Sequence, residues 1–143
     1  MEDERAAWQE QRRQAVAGHG AAFEAGRAAE AAEAAVLLAD FVRQARERGL
    51  EPETLSATSF DGRARYRTKQ RGWYLKRNKS IAVGEDGGYY VLTVPSSLRA
   101  RLTGADVRPS VPRLVVGAGG GDGETLPLAQ LLRRRLDAGV TWP

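Results

Sequence analysis

The chain has 143 residues, is 42% hydrophobic and 28% charged, and carries no cysteine, one histidine and a formal net charge of +4. This size and balance predict a soluble globular domain with an appendage, since a domain of about 90–150 residues buries a core without staples. Disulfides, Cys-ligated zinc and thiol nucleophiles are excluded, and with His19 as the sole histidine so are His-based triads and His metal clusters.

The longest apolar run, Ala34–Ala39, falls far short of the about 20 residues of a membrane helix. The opening MEDERAAWQE has neither a basic n-region nor an apolar h-region, which predicts a cytoplasmic protein with no membrane partner. Charge is divided unevenly. Residues 1–60 sum to −4 and residues 61–143 to +8, a split that suggests an anionic partner for the C-terminal part. Arg outnumbers Lys 19 to 3, so a chain-wide Arg bias contributes to that charge.

In chain order, residues 2–17 are Ala-rich and weakly helical, with Trp8, Val16 and Phe23 near heptad spacing. Gly18-His19-Gly20 predicts a break or hinge, with the first 20 residues disordered in isolation. From Ala21 to Arg48 the helical signal strengthens: Ala34, Leu37, Leu38, Phe41 and Ala45 share one face, and Gly49 and Pro52 form a stop. This second half is expected to dock on the domain, and the first half to project from it.

Glu53–Phe60 and Arg63–Lys69 flank Asp61-Gly62, a hairpin signature. Trp73–Lys76, Ser80–Val83 and Tyr89–Val94 follow, the last two joined by the turn Gly84–Gly88. Together they predict an antiparallel meander of three to five strands. Ser96 or Ser97 is placed to cap a short helix through Leu102 that Gly104 closes. Arg113–Gly117 reads as a strand, and Thr125 as the cap of a final helix, Leu126–Ala138, with Leu128, Leu131, Leu132 and Leu136 on one face. The predicted fold is α+β: an N-terminal helical segment over residues 1–49, then a small domain over 50–143 in which the antiparallel sheet packs against the C-terminal helix.

The most informative stretch is the basic strand. Arg63, Arg65, Arg67, Lys69 and Arg71 recur at every second position, and no acid occurs between Arg63 and Ser80. Alternate residues of a strand share a face, so this spacing predicts a row of five cations opposite Ala64, Tyr66 and Thr68. Lys76, Arg77 and Lys79 follow closely. The row fits the solvated face of an antiparallel sheet or a charged edge strand that blocks aggregation, and it fits a track for a phosphate backbone. If Trp73 and Leu75 face the core, Tyr74 and Lys76 face outward, joined by one of Tyr89 and Tyr90. Exposed rings beside cations make a stacking platform for single-stranded nucleic acid, whereas rings packed across strands are ordinary core.

The Gly117–Gly123 loop fails as a dinucleotide or phosphate fingerprint: Asp122 stands where the third glycine belongs, and Asp122 and Glu124 repel phosphate. Glu85-Asp86 and Asp122-Glu124 sit among turn glycines, where acids are ordinarily solvated. Arg133–Arg135 reads as a solvated, dipole-favoured face. No cofactor and no metal site is expected. The function expected is a non-enzymatic module that binds RNA or DNA through Arg63, Arg65, Arg67, Lys69, Arg71, Tyr74, Lys76, Arg77 and Lys79. The alternative is a protein-interaction or self-association module that uses the N-terminal helix.

Overall fold

The computed structural model describes residues 2–117 and 125–142. It confirms the α+β class. Helix α1 spans Glu2–Glu47 without interruption. The break expected at Gly18-His19-Gly20 is absent. Two glycines cost roughly 1 kcal/mol each relative to Ala, which does not stop a helix flanked by alanines. Gly49, at φ +72°, ends the final turn, and Leu50 N–H donates to Ala45 O at 2.9 Å.

Five strands form the main sheet: β1 (Glu53–Ser59), β2 (Arg65–Tyr74), β3 (Ile81–Gly84), β4 (Tyr89–Val91) and β5 (Thr93–Val94), in the order β4-β3-β2-β1-β5. The first four pair antiparallel as the meander predicts, whereas β5 returns to lie parallel to β1. Gly62 takes φ +73° in the hairpin turn. Asp61 braces that turn by accepting from Ser59 Oγ at 2.5 Å and from Arg63 N–H at 3.0 Å. These two bonds, with the Ser59 hydroxyl foremost, hold its carboxyl below the usual range.

The β1–β2 register jumps from Thr54↔Arg71 to Ser56↔Arg67, leaving one residue of β1 opposite three of β2. The surplus of two is even, so the side-chain alternation survives it. Thr68 repairs the interrupted ladder: its hydroxyl donates to Leu55 O at 2.8 Å and accepts from Gln70 N–H at 3.1 Å.

Both faces of the sheet are covered. On one face Trp73, Leu75, Ile81, Val83 and Tyr89 pack with Ala34, Leu38, Phe41 and Ala45 of α1 and with Leu128, Leu131, Leu132 and Leu136 of helix α3 (Leu128–Ala138). The predicted leucine stripe is thus the lid on this face. On the other face Leu55, Ala57, Tyr74, Ala82, Tyr90 and Leu92 form a second cluster with Val107, flanked by Ala105 and Trp142. The chain after the short helix α2 (Leu98–Thr103) supplies this cover through Ala105, Val107 and Trp142, while α2 itself buries no residue.

Two sequence expectations change near the C-terminus. Leu126–Pro127 forms strand β7 against β6 (Val115–Val116), so α3 begins at Leu128 and Thr125 does not cap it. Arg135 is buried rather than solvated: its guanidinium lies 4.8 Å from the Trp142 ring centroid and donates to Gly139 O at 3.0 Å. Arg133 and Arg134 are exposed, as a solvated face requires. The Gly-rich loop lies outside the described residues beyond Gly117, and so does the acid pair Asp122-Glu124. Among the described residues, no helix is long and apolar enough to cross a membrane.

Phe41 meets Trp73 edge-on, with ring centroids 5.9 Å apart at 82°. Truncating a buried phenylalanine costs about 3–5 kcal/mol through lost burial and the cavity left behind. Phe41→Ala is therefore expected to lower the unfolding free energy by about that amount in urea titrations. A loss under about 1 kcal/mol would mean that α1 contributes little to holding the domain together.

Candidate nucleic-acid interface

Strand β3 pairs with β2 over Gly72–Tyr74. Upstream of Gly72 that edge of β2 is met by loops instead: Glu85 N–H donates to Arg71 O and Ala105 N–H to Arg67 O, both at 2.9 Å. Helix α2 is pinned beside this edge at both of its ends. At the start, Ser97 N–H donates to the Tyr66 hydroxyl at 2.9 Å, and the Ser97 side chain caps the helix by accepting from Ala100 N–H at 3.1 Å. At the finish, Gly104 takes φ +86° and passes so close to β2 that a Cβ there would lie 2.6 Å from Arg67 O. Glycine is required at this position both for conformation and for space.

A cleft of about 1120 Å³ opens between β2 and α2. Arg65, Arg67 and Lys69 line it from the strand, and Arg99 and Arg101 from the helix. Asp106 is the one acid on its wall. None of these five cations forms an ion pair with another described residue. Five cations against one acid fix the sign of the field in the cleft, and its walls concentrate that field.

Of the residues singled out in the sequence, Arg65, Arg67 and Lys69 are exposed, share a strand face and meet in the cleft. Arg63 is exposed in the hairpin turn just before β2. Arg71 is exposed but engaged, donating to Pro52 O at 3.0 Å with its Nε 3.9 Å from Glu85. Arg77 is exposed and Lys79 half-buried in the β2–β3 turn, and neither lines the cleft. Arg99 and Arg101 were not anticipated. Their sequence signal was the capped 97–104 helix, which carries two arginines two residues apart.

The stacking platform is not there. Tyr74, 1% exposed, lies in the second cluster and its hydroxyl accepts from Ser56 N–H at 2.8 Å. Lys76 is buried as well. Alternation does send Trp73 and Tyr74 to opposite faces, but the second face is covered by the segment after β5 instead of open to solvent. Tyr89 and Tyr90 are buried on opposite faces for the same reason. Lys79, at φ +61°, places its ammonium 5.3 Å from the centroid of the Tyr74 ring, so that cation is spent on the core's edge.

Asp86 organises the β3–β4 turn, accepting from Gly88 N–H at 2.8 Å and from the Tyr90 hydroxyl at 3.0 Å. It is therefore structural. Among the described residues, no group of three or more His, Asp and Glu side chains is arranged to hold a metal ion. The chain matches no family model, no curated protein and no solved structure.

Burial, with help from the Asp86 carboxylate, pushes the Tyr90 phenol up to about 12. An unfolded tyrosine ionises near 10. Between about pH 10 and 12 the unfolded chain therefore releases a proton that the folded chain keeps, so stability is full below that window and falls as pH rises through it. Tyr90→Phe is expected to flatten this fall in urea titrations at pH 9, 10 and 11. An unchanged slope in the variant would show that Tyr90 titrates alike in both states.

Proposed function

We propose that this protein is a non-enzymatic module that binds nucleic acid by its phosphates, in the cleft between β2 and α2. The observation that carries the reading is the convergence of Arg65, Arg67 and Lys69 with Arg99 and Arg101, none of them neutralised by a described acid. Exposed, unpaired cations on two walls suit an extended polyanion. The cleft's volume exceeds the about 300–1,000 Å³ of small-molecule pockets, and those are mostly apolar. With Tyr74, Tyr89 and Tyr90 in the core, and Tyr66 in the cleft wall only 3% exposed, no described aromatic of the sheet offers a base an open stacking surface beside the cations. Contacts to phosphate position a nucleic acid without reading its bases, so binding in this cleft is sequence-tolerant.

Counterion release gives the test. Each phosphate neutralised contributes about −0.9 to the slope of log affinity on log salt for duplex DNA and about −0.7 for single strands. Anisotropy titrations of labelled duplex DNA and single-stranded RNA, over a series of salt concentrations, are expected to give a duplex slope of about −3 to −5. The double variant Arg65→Glu/Arg67→Glu should reduce that slope by about 2 and weaken binding at every salt concentration. Arg77→Glu, outside the cleft, should leave both unchanged. No binding at low salt, or equal losses in the two variants, would sink the reading.

A further inference from the structure

Among the described residues, nothing packs against the N-terminal part of α1. The described side chains from Glu2 to Ala29 are exposed, whereas Glu30 is where docking begins: its Oε1 accepts from Leu114 N–H at 3.0 Å and lies 3.3 Å from Arg113 Nε. The free part is about 40 Å long at 1.5 Å per residue. It exposes Trp8 (59%), Val16 (66%) and Phe23 (64%). These are not scattered around the helix. Phe23 lies about five whole turns before Phe41, and so on the same face. Val16 falls about 20° and Trp8 about 60° from that direction. The direction of the stripe that docks on the sheet and α3 therefore continues along the free part, where Arg5 and Arg12 interrupt it and no described residue covers it.

The glycines point the same way. Gly20 and Gly26 flank Phe23 at three residues on either side, and a Cβ on either one would meet no atom within 4 Å. In the monomer they weaken the helix and relieve no crowding. A second backbone approaching this face would account for them.

We infer that the free part of α1 pairs antiparallel with the same part of a second copy of this chain. Overlapping the two exposed segments end to end sets residue n opposite residue 31 − n. That register seats Trp8 against Phe23 of the second copy, and Val16 against Ala15. It also brings the acidic first turn, Glu2, Asp3 and Glu4, to the height of the second copy's Arg27. Parallel pairing would instead set that acidic turn against itself, and likewise Arg12-Arg13. Antiparallel pairing opposes the two helix dipoles as well. In each copy Arg12 lies over Trp8 and Arg27 over Phe23, at 5.3 and 5.1 Å from the ring centroids. Arg27 lies about 40° to the side of the stripe and Arg12 within it, between Val16 and Trp8, and their stems add apolar cover to the rings.

Sedimentation of the full chain over a concentration series tests this. The expected result is a species of twice the 15.5 kDa monomer mass. Phe23→Glu should weaken the association about tenfold or more while leaving circular dichroism in the near ultraviolet unchanged, because Phe23 contributes nothing to the domain core. The chain lacks cysteine, so the register can be read by cross-linking. A mixture of Arg12→Cys and His19→Cys chains should form a disulfide between the two variants under mild oxidation, with neither variant coupling to itself. A monomer at every concentration would overturn the inference. So would Arg12→Cys coupling to itself, which signals parallel pairing. Neither outcome touches the cleft, whose salt-dependent binding is measured separately.

Discussion

The docking of Trp73 holds the helical and sheet layers together. Its ring, 1% exposed, meets Phe41 of α1 edge-on, and its indole N–H donates to Leu50 O at 3.0 Å, just past the end of that helix. Arg46 closes over the ring with its guanidinium 5.9 Å from the centroid. One side chain of β2 thereby fixes where α1 lies and where it stops. Close approach of the neighbouring strand completes the arrangement: a Cβ at Gly72 would stand 2.0 Å from Val83 O, so the residue before Trp73 has to be glycine if β3 is to lie alongside. Large apolar rings carry much of the burial energy of a domain this size, and here the largest buried side chain sits where the layers join.

The basic cleft is a consequence of what that core leaves uncovered. Helices α1 and α3 cover the sheet around Trp73, and β3 covers the β2 edge only from Gly72 onward. The N-terminal half of β2 is left with one strand neighbour, and α2 is strapped beside the open edge by Tyr66 at one end and by Arg67 O at the other. An open strand edge is a hazard for aggregation, and a charged, partly strapped edge is a usual remedy. The arrangement that protects the edge also assembles the cations, so protecting the sheet and attracting an anion are not competing explanations of the same residues.

Elements governed by local rules were legible in the sequence. The stripe Ala34, Leu38, Phe41, Ala45 follows from 3.6-residue spacing, the exposed row of cations from two-residue spacing, and the Ser97 cap and Gly104 terminus from end chemistry. What failed was set by distant chain. Alternation said that Trp73 and Tyr74 point oppositely, but not that a segment some 30 residues later covers the second face. The same segment brings Arg99 and Arg101 to the strand, a contact with no local signature. Thr125 looked like a cap because β7's partner, Val115–Val116, lies ten residues upstream. At Gly18 and Gly20 the local penalty, about 1 kcal/mol per glycine, is too small to break a helix rich in alanine.

Beyond any ligand, the alternation on β2 has a consequence for folding. Arg65, Arg67 and Lys69 face solvent while Tyr66 and Thr68 face inward. A slip of β2 by one residue against β1 would exchange the two sets and drive three cations into the space held by Leu55 and Ala57. Burying unpaired charge costs far more than such a slip could recover in apolar contact. The row thus acts as a ratchet on strand pairing, rejecting the nearest misregistered hairpin once the later chain covers Leu55 and Ala57.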